Sequence, residues 1–205
     1  FSSAAFFIVA GLIGADRGLL IPAVGINPSR TGLVQLLRQM GGKIELRDER
    51  YCGAEPVADI YVERSALVAT DVGRELVDLS IDELPVAFIA AAAARGRTRI
   101  SGAEELRVKE SDRLSVMAEG LRSVSIEVIE HPDGLEIAGG SIGGGRVDSH
   151  GDHRIAMSFA IASTVASAPI KIVNTDNVST SFPGFPDVAA KCGLRIETLR
   201  EEADV

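Results

Sequence analysis

The chain has 205 residues, enough to bury a core; 46% are apolar and 24% charged, a balance that excludes disorder as its default state. Net charge is −8 with no Arg-rich tract, which excludes a general nucleic-acid coat and leaves any anionic ligand to a few placed cations. Two cysteines, Cys52 and Cys192, stand far apart in no metal or redox spacing, so a reducing, cytoplasmic setting is expected.

In chain order, the opening FSSAAFFIVAGLI predicts an apolar helix over about residues 2–14. It has the core of a signal peptide but lacks a basic leader, and no apolar run reaches the length of a membrane span, so no membrane partner is expected. Ser2 and Ser3 stand at a helix start with Phe1 alone before them, so the chain is expected to be a piece of a longer protein. A strand follows at LLIPAVG, then an amphipathic helix through TGLVQLLRQMG and alternating strands KIELRDE and DIYVERS. PVAFIAAAAARG predicts a second helix that is apolar nearly all round, followed by strand TRISGA, helix SDRLSVMAEGLRSV and strands IEVIEH and LEIAG. The third stretch supplies the apolar helix HRIAMSFAIASTVAS, strand IKIVN, helix FPDVAAKCG and strand LRIETLR.

The same order of elements therefore occurs three times. Ile44, Ile126 and Ile196 each open the strand after a second helix, at separations of 82 and 70 residues. Gly14, Gly96 and Ser167 close the first helices at separations of 82 and 71. Such periodicity predicts one lobe, residues 1–205, of three repeated units at about 1–74, 75–144 and 145–205. Helices apolar all round belong inside, and strands that alternate belong outside with one face in water. The expected class is α/β, with buried helices and outer, partly exposed sheets rather than a doubly wound sheet.

Chemistry concentrates in RVKESDRL, residues 107–114, between the strand TRISGA and the helix that starts near Ser111. Its plain reading is a solvated helix cap, with Ser111 or Asp112 capping and surface ion pairs of small worth. The order of residues says more, because a basic residue, any residue, Lys, Glu, a small residue, an acid and Arg resembles the signature of the 5-enolpyruvylshikimate-3-phosphate synthase family. SIDELP (80–85), DHRIAM (152–157) and TSFPGF (180–185) resemble three further blocks of that family in its order, and NPSRTG (27–32) and SSAAF resemble less diagnostic ones. The resemblance covers essentially the whole chain and corresponds to the C-terminal half of such an enzyme.

The resemblance implies a two-lobed protein, each lobe of three similar units with helices buried in parallel, and an active site in the cleft between lobes. This chain is then one wall, and the missing N-terminal lobe is its partner. The implied reaction transfers the enolpyruvyl group of phosphoenolpyruvate to the 5-hydroxyl of shikimate 3-phosphate and releases phosphate, with no metal or organic cofactor. Asp82 matches the proton acceptor near the 5-hydroxyl; read from the residues alone it is a helix cap before Pro85, and neighbouring Glu83 is the alternative acid. Glu110 matches the group that protonates the methylene carbon, and Lys109 a contact to shikimate 3-phosphate. Arg113 and Arg154 match the cations that grip phosphoenolpyruvate, a task that suits the bidentate guanidinium. His153 is expected beside the site, or orienting Arg154 through a hydrogen bond, and Asp152 as the cap of its helix.

Asp148, His150, Asp152 and His153 are rich in ligand atoms, but their spacing fits no standard metal site. Thr180 stands where part of the family has a phosphoenolpyruvate-binding Lys; VSTSFPGF, SIDELP and NPSRTG resemble the class II branch, so the response to glyphosate is left open. Two rivals share the expected fold. One is an enolpyruvyl transferase acting on UDP-N-acetylglucosamine, which RVKESDR disfavours; the other is a non-catalytic lobe without activity alone.

Overall fold

The structure, a computed structural model, describes residues 1–199. It opens with α1 (Ser2–Gly14), β1 (Leu19–Gly25), α2 (Gly32–Gln39), β2 (Lys43–Cys52) and β3 (Glu55–Glu63). The middle carries β4 (Asp71–Val72), α3 (Arg74–Asp78), α4 (Leu84–Ala93), β5 (Arg97–Ile100), α5 (Arg113–Ser123), β6 (Glu127–His131) and β7 (Gly134–Ala138). The last stretch is β8 (Gly145–Asp148), α6 (His153–Ala162), β9 (Ile170–Val173), α7 (Asn177–Ser181) and α8 (Phe185–Lys191).

Helices apolar on every side fold only where protein surrounds them. Ala4 through Ile13 of α1, Leu84 through Ala92 of α4 and Ile155 through Ala162 of α6 are all buried, and the three helices pack on one another. Their starts meet: Ser2 Oγ donates to Glu83 Oε1 at 2.6 Å, and Arg154 Nη1 donates to the Asp82 carbonyl at 2.9 Å. Their far ends meet too, around a hollow lined by Ile13, Ala93 and Val165. They therefore run side by side in one direction. Alanine makes this closeness possible, since Ala90, Ala91 and Ala92 are fully buried and leave room for a neighbouring backbone. A larger side chain there would overpack the core at a cost of about 1–3 kcal/mol. Similarly, α5 approaches α6 so closely that a Cβ on Gly120 would sit 2.4 Å from Phe159 Cζ.

Among the described residues the strands form three separate sheets, ordered β1-β3-β2, β4-β5-β7-β6 and β8-β9. The first is antiparallel throughout, β4 pairs parallel with β5, and β8 pairs parallel with β9. β5 alternates exposed and buried residues, and β3 buries Ala58, Ile60 and Val62 while Asp59 and Tyr61 face outward. The α/β class with central helices and outer, half-exposed sheets holds.

Two expectations need correction, and strand β8 has no counterpart among them. The helix expected to run to Ser167 stops at Ala162, because the Ser163 and Thr164 hydroxyls donate to the carbonyls of Ala160 and Ile161 and compete for the acceptors of the last turn. The strand expected at LRIETLR is absent from residues 194–199, so Ile196 opens no strand, and Arg200 lies outside the described residues. Its alternation is met another way: Leu194 and Ile196 rest on the core without pairing to a neighbour. β8, hidden in the Gly-rich GGGRVDSHG, was not expected as a strand. Four residues with two glycines beside them carry almost no periodic pattern.

Candidate active site

Four chain segments converge where the buried helices begin. The first is the 3-10 turn Ile81–Glu83, which leads into α4 with a Pro in the first turn. In a 3-10 turn, successive side chains point about 120° apart. Asp82 and Glu83 accordingly diverge: Asp82 is one-third exposed, whereas Glu83 is 3% exposed and turns inward toward Ser2. The cap reading of Asp82 fails, because the cap position of α4 is Glu83 and no side chain caps it.

The Asp82 carboxylate is ringed by cations. Arg30 Nη2 lies 3.8 Å and Arg154 Nη2 3.6 Å from Oδ2; Lys109 Nζ lies 3.9 Å and Arg113 Nη1 3.8 Å from Oδ1. None of the four closes to hydrogen-bonding distance. Lys109, Arg113 and Arg154 are in turn shared with Glu105, Glu110, Asp152 and Glu83, so the cluster is a network of partnered charges around Asp82. The starts of α1, α4, α5 and α6 add their positive dipole ends to the same place.

RVKESDRL divides between scaffold and site. Asp112 caps α5, its Oδ1 accepting from the Ser115 N–H at 3.1 Å. Arg107 is tied to Asp112 and Glu130 and to the carbonyls of His131 and Pro132. Its four partners make it a clamp between the turn and β6. Lys109 faces Asp82 and Glu105. Arg113 is 1% exposed, and its guanidinium is shared by three carboxylates: Nε donates to Asp152 Oδ2 at 2.8 Å, Nη2 pairs with Glu110, and Nη1 faces Asp82. Nη1 has no hydrogen-bond partner among the described residues, so a buried N–H beside Asp82 is ready for an oxyanion.

Glu110 is about half exposed and, with Asp82, flanks the Arg113 guanidinium. Asp152 is fully buried and caps α6 as expected, accepting from the Arg154 N–H at 2.9 Å. Burial pushes its carboxyl up, but the hydrogen bond and charge of Arg113 outweigh that and hold it below the ordinary value. Burial, and then the charge of Arg154, push His153 below the usual imidazole value. No hydrogen bond joins the His153 ring to Arg154; the guanidinium is oriented instead by the Asp82 carbonyl, with Glu83 4.0 Å from Nη1. Burial raises the Glu83 carboxyl above its ordinary value against the Ser2 hydrogen bond and the Arg154 charge.

Asp82, the block with Lys109, Glu110 and Arg113, and Arg154 come from three separate stretches of sequence yet lie together. Sequence reasoning missed Arg30, Ser2 and the pairing role of Asp152. Arg30 stands inside NPSRTG, a block already noted, and that was its one visible signal. Among the described residues, no group of three or more His, Cys, Asp or Glu side chains is arranged to hold a metal ion.

A family model described as EPSP synthase (3-phosphoshikimate 1-carboxyvinyltransferase) matches residues 1–189. Curated proteins named 3-phosphoshikimate 1-carboxyvinyltransferase from Acidithiobacillus ferrooxidans and Legionella pneumophila are each 53% identical over 196 residues, which is 96% of this chain and 45% of theirs. A solved EPSP synthase from Acinetobacter baumannii matches with a TM-score of 0.92 at 47% identity, over 96% of this chain and 46% of that one. The enolpyruvyl transferase NikO from Streptomyces tendae matches at 0.76 with 20% identity, over 95% of this chain and 43% of that one, and shares the fold. The chain spans about half the length of the curated relatives it matches.

Proposed function

The chain belongs to the EPSP synthase family, and from that membership we propose that it forms one lobe, built of three repeated units, of a 3-phosphoshikimate 1-carboxyvinyltransferase. The second lobe of the cleft comes from the half of the relatives' length that this chain does not span. The reaction is transfer of the enolpyruvyl group of phosphoenolpyruvate to the 5-hydroxyl of shikimate 3-phosphate, with release of phosphate. The observation that carries this reading is the Asp82 carboxylate under four cations at 3.6–3.9 Å.

Asp82 takes the proton of the 5-hydroxyl as that oxygen bonds to the central carbon of phosphoenolpyruvate. In the free site the carboxylate faces Arg30, Lys109, Arg113 and Arg154. Arg113 and Arg154, on either side of Asp82, are placed to take the phosphate and carboxylate groups of phosphoenolpyruvate. Glu110 delivers a proton to the methylene carbon, with Lys109 beside it holding shikimate 3-phosphate. Because the product keeps the double bond, a methyl proton returns to the Glu110 carboxylate as the C–O bond to phosphate breaks, and the departing phosphate takes the proton held by Asp82. Closure of the second lobe over the half-exposed Glu110 would exclude water from this transfer. His153, kept neutral by burial and by Arg154, borders the phosphoenolpyruvate side without adding charge.

The rival reading as a UDP-N-acetylglucosamine enolpyruvyl transferase loses its support, since the relatives at 53% identity carry the other name. A cytoplasmic location is supported by two exposed, unpaired cysteines, Cys52 and Cys192. Among the described residues, no helix is long and apolar enough to cross a membrane. The test is phosphate release from shikimate 3-phosphate and phosphoenolpyruvate, by this chain alone and by the chain joined to the other half in one polypeptide. Release is expected only from the joined protein. Turnover by the chain alone would refute the half-site reading, and inactivity of the joined protein would refute the reaction.

A further inference from the structure

Glu83 is a buried carboxyl that no step above uses. Among the described residues, the hydrogen bond it receives comes from the Ser2 hydroxyl at 2.6 Å. Ser2 Oγ in turn accepts from Arg30 Nη2 at 3.1 Å. The chain has one polarity, from guanidinium N–H to hydroxyl oxygen and from hydroxyl hydrogen to carboxylate. The same Arg30 Nη2 lies 3.8 Å from Asp82 Oδ2, and Arg154 spans the other side, with Nη1 4.0 Å from Glu83 Oε1 and Nη2 3.6 Å from Asp82 Oδ2. Five side chains therefore close a ring: Asp82, Arg30, Ser2, Glu83, Arg154 and back to Asp82.

Two features separate this ring from a stabilising cluster. A carboxylate taken out of water with one hydrogen bond contributes little net stability, because desolvation opposes its ion pairs. Arg30 is 55% exposed, and exposed pairs of that kind contribute almost nothing to folding. Yet Arg30 touches both the outward carboxylate and the hydroxyl that steadies the inward one. What the ring does supply is orientation, since an arginine otherwise explores many rotamers.

We propose that Glu83, Ser2 and Arg30 are positioning residues that set the Arg154 guanidinium and the Asp82 carboxylate against each other before substrate arrives. Glu83 acts through Arg154, and Arg30 acts through Asp82 and Ser2. The inference rests on the reading of Asp82 and Arg154 as substrate-facing groups.

The test uses the full two-lobed protein carrying Arg30→Gln, Glu83→Gln and both together. Each single substitution lowers kcat/KM for phosphoenolpyruvate by about tenfold or more, the scale of a small misplacement of reacting groups. The double variant stays within about twofold of the worse single, because one ring is broken once. Ser2→Ala follows Arg30→Gln, and Ser2→Thr, which keeps the hydroxyl, restores wild-type behaviour. Losses that multiply, or a folded Arg30→Gln with wild-type kcat/KM, overturn the proposal. Should Glu83→Gln fail to fold, the same cycle between Arg30→Gln and Ser2→Ala decides. A crystal structure of Arg30→Gln reads the ring without turnover. An Arg154 guanidinium left in place overturns the ring whatever the reaction, whereas a displaced Arg154 in a protein whose wild type is inactive overturns the reaction alone.

Discussion

Arg113 and Asp152 are joined by a 2.8 Å contact between Nε and Oδ2, with side chains 1% and 0% exposed. Each is the other's fully buried counter-ion. Asp152→Asn keeps the cap on α6 but leaves the Arg113 cation short of its buried counter-ion. The expected loss is about 3 kcal/mol or more of unfolding free energy, read by urea denaturation. A loss under about 1 kcal/mol would mean that Glu110 and Asp82 already balance Arg113.

The same pair sets an acid limit. Asp152 titrates below its unfolded value, so its stabilisation is complete above about pH 4 and is lost as pH falls through the depressed value. The urea midpoints of wild type and Asp152→Asn should therefore converge below about pH 4 and stay apart above it. Midpoints that keep a constant gap down to acid unfolding would contradict this.

Glu83 carries the opposite sign. Its folded value is raised, so its stabilisation is greatest below the ordinary carboxylate range and is lost as pH rises through the folded value. Glu83→Gln removes that loss, and its melting temperature at pH 8 should exceed wild type by about 2–4 °C. A fall of similar size would show that the charge stabilises the fold and does not merely orient Arg154.

Glu110 is half exposed, so Glu110→Gln should leave folding intact. In the full-length protein its kcat should drop about 10²-fold or more if it supplies the carbon-bound proton. Near-normal turnover would remove that role.

Arg154 is held by the Asp82 carbonyl and faces the Asp82 carboxylate. Arg154→Ala in the full-length protein should weaken phosphoenolpyruvate binding about 10-fold or more, as loss of a charged hydrogen-bonding partner does. Calorimetry showing unchanged affinity would contradict its place in the site.

Local signals were read well where periodicity and composition agreed. α1 and β1 match the expected spans, since an apolar run after two serines and a short apolar run between Gly18 and Gly25 leave few alternatives. LRIETLR misled because alternation records which face is buried, and residues 194–199 bury that face without a pairing partner. In the site, the charged blocks were legible because each is contiguous. The ring was not, because Ser2 meets Glu83 across 81 residues and Arg154 meets Asp82 across 72, distances that only packing brings together. Arg30 and Ser2 look like ordinary surface and cap residues until the helix starts converge.

That convergence has a consequence for synthesis. Of the five ring residues, Ser2 and Arg30 are synthesised before Asp82 and Glu83, and Arg154 comes last. No ring of ion pairs can close before then, and closing loops of such length makes it a late event in folding. A chain truncated between Glu83 and Arg154 would hold its first sheet but none of the completed cluster. Release before Arg154 therefore yields a protein with an open ring rather than one with a weakened ring.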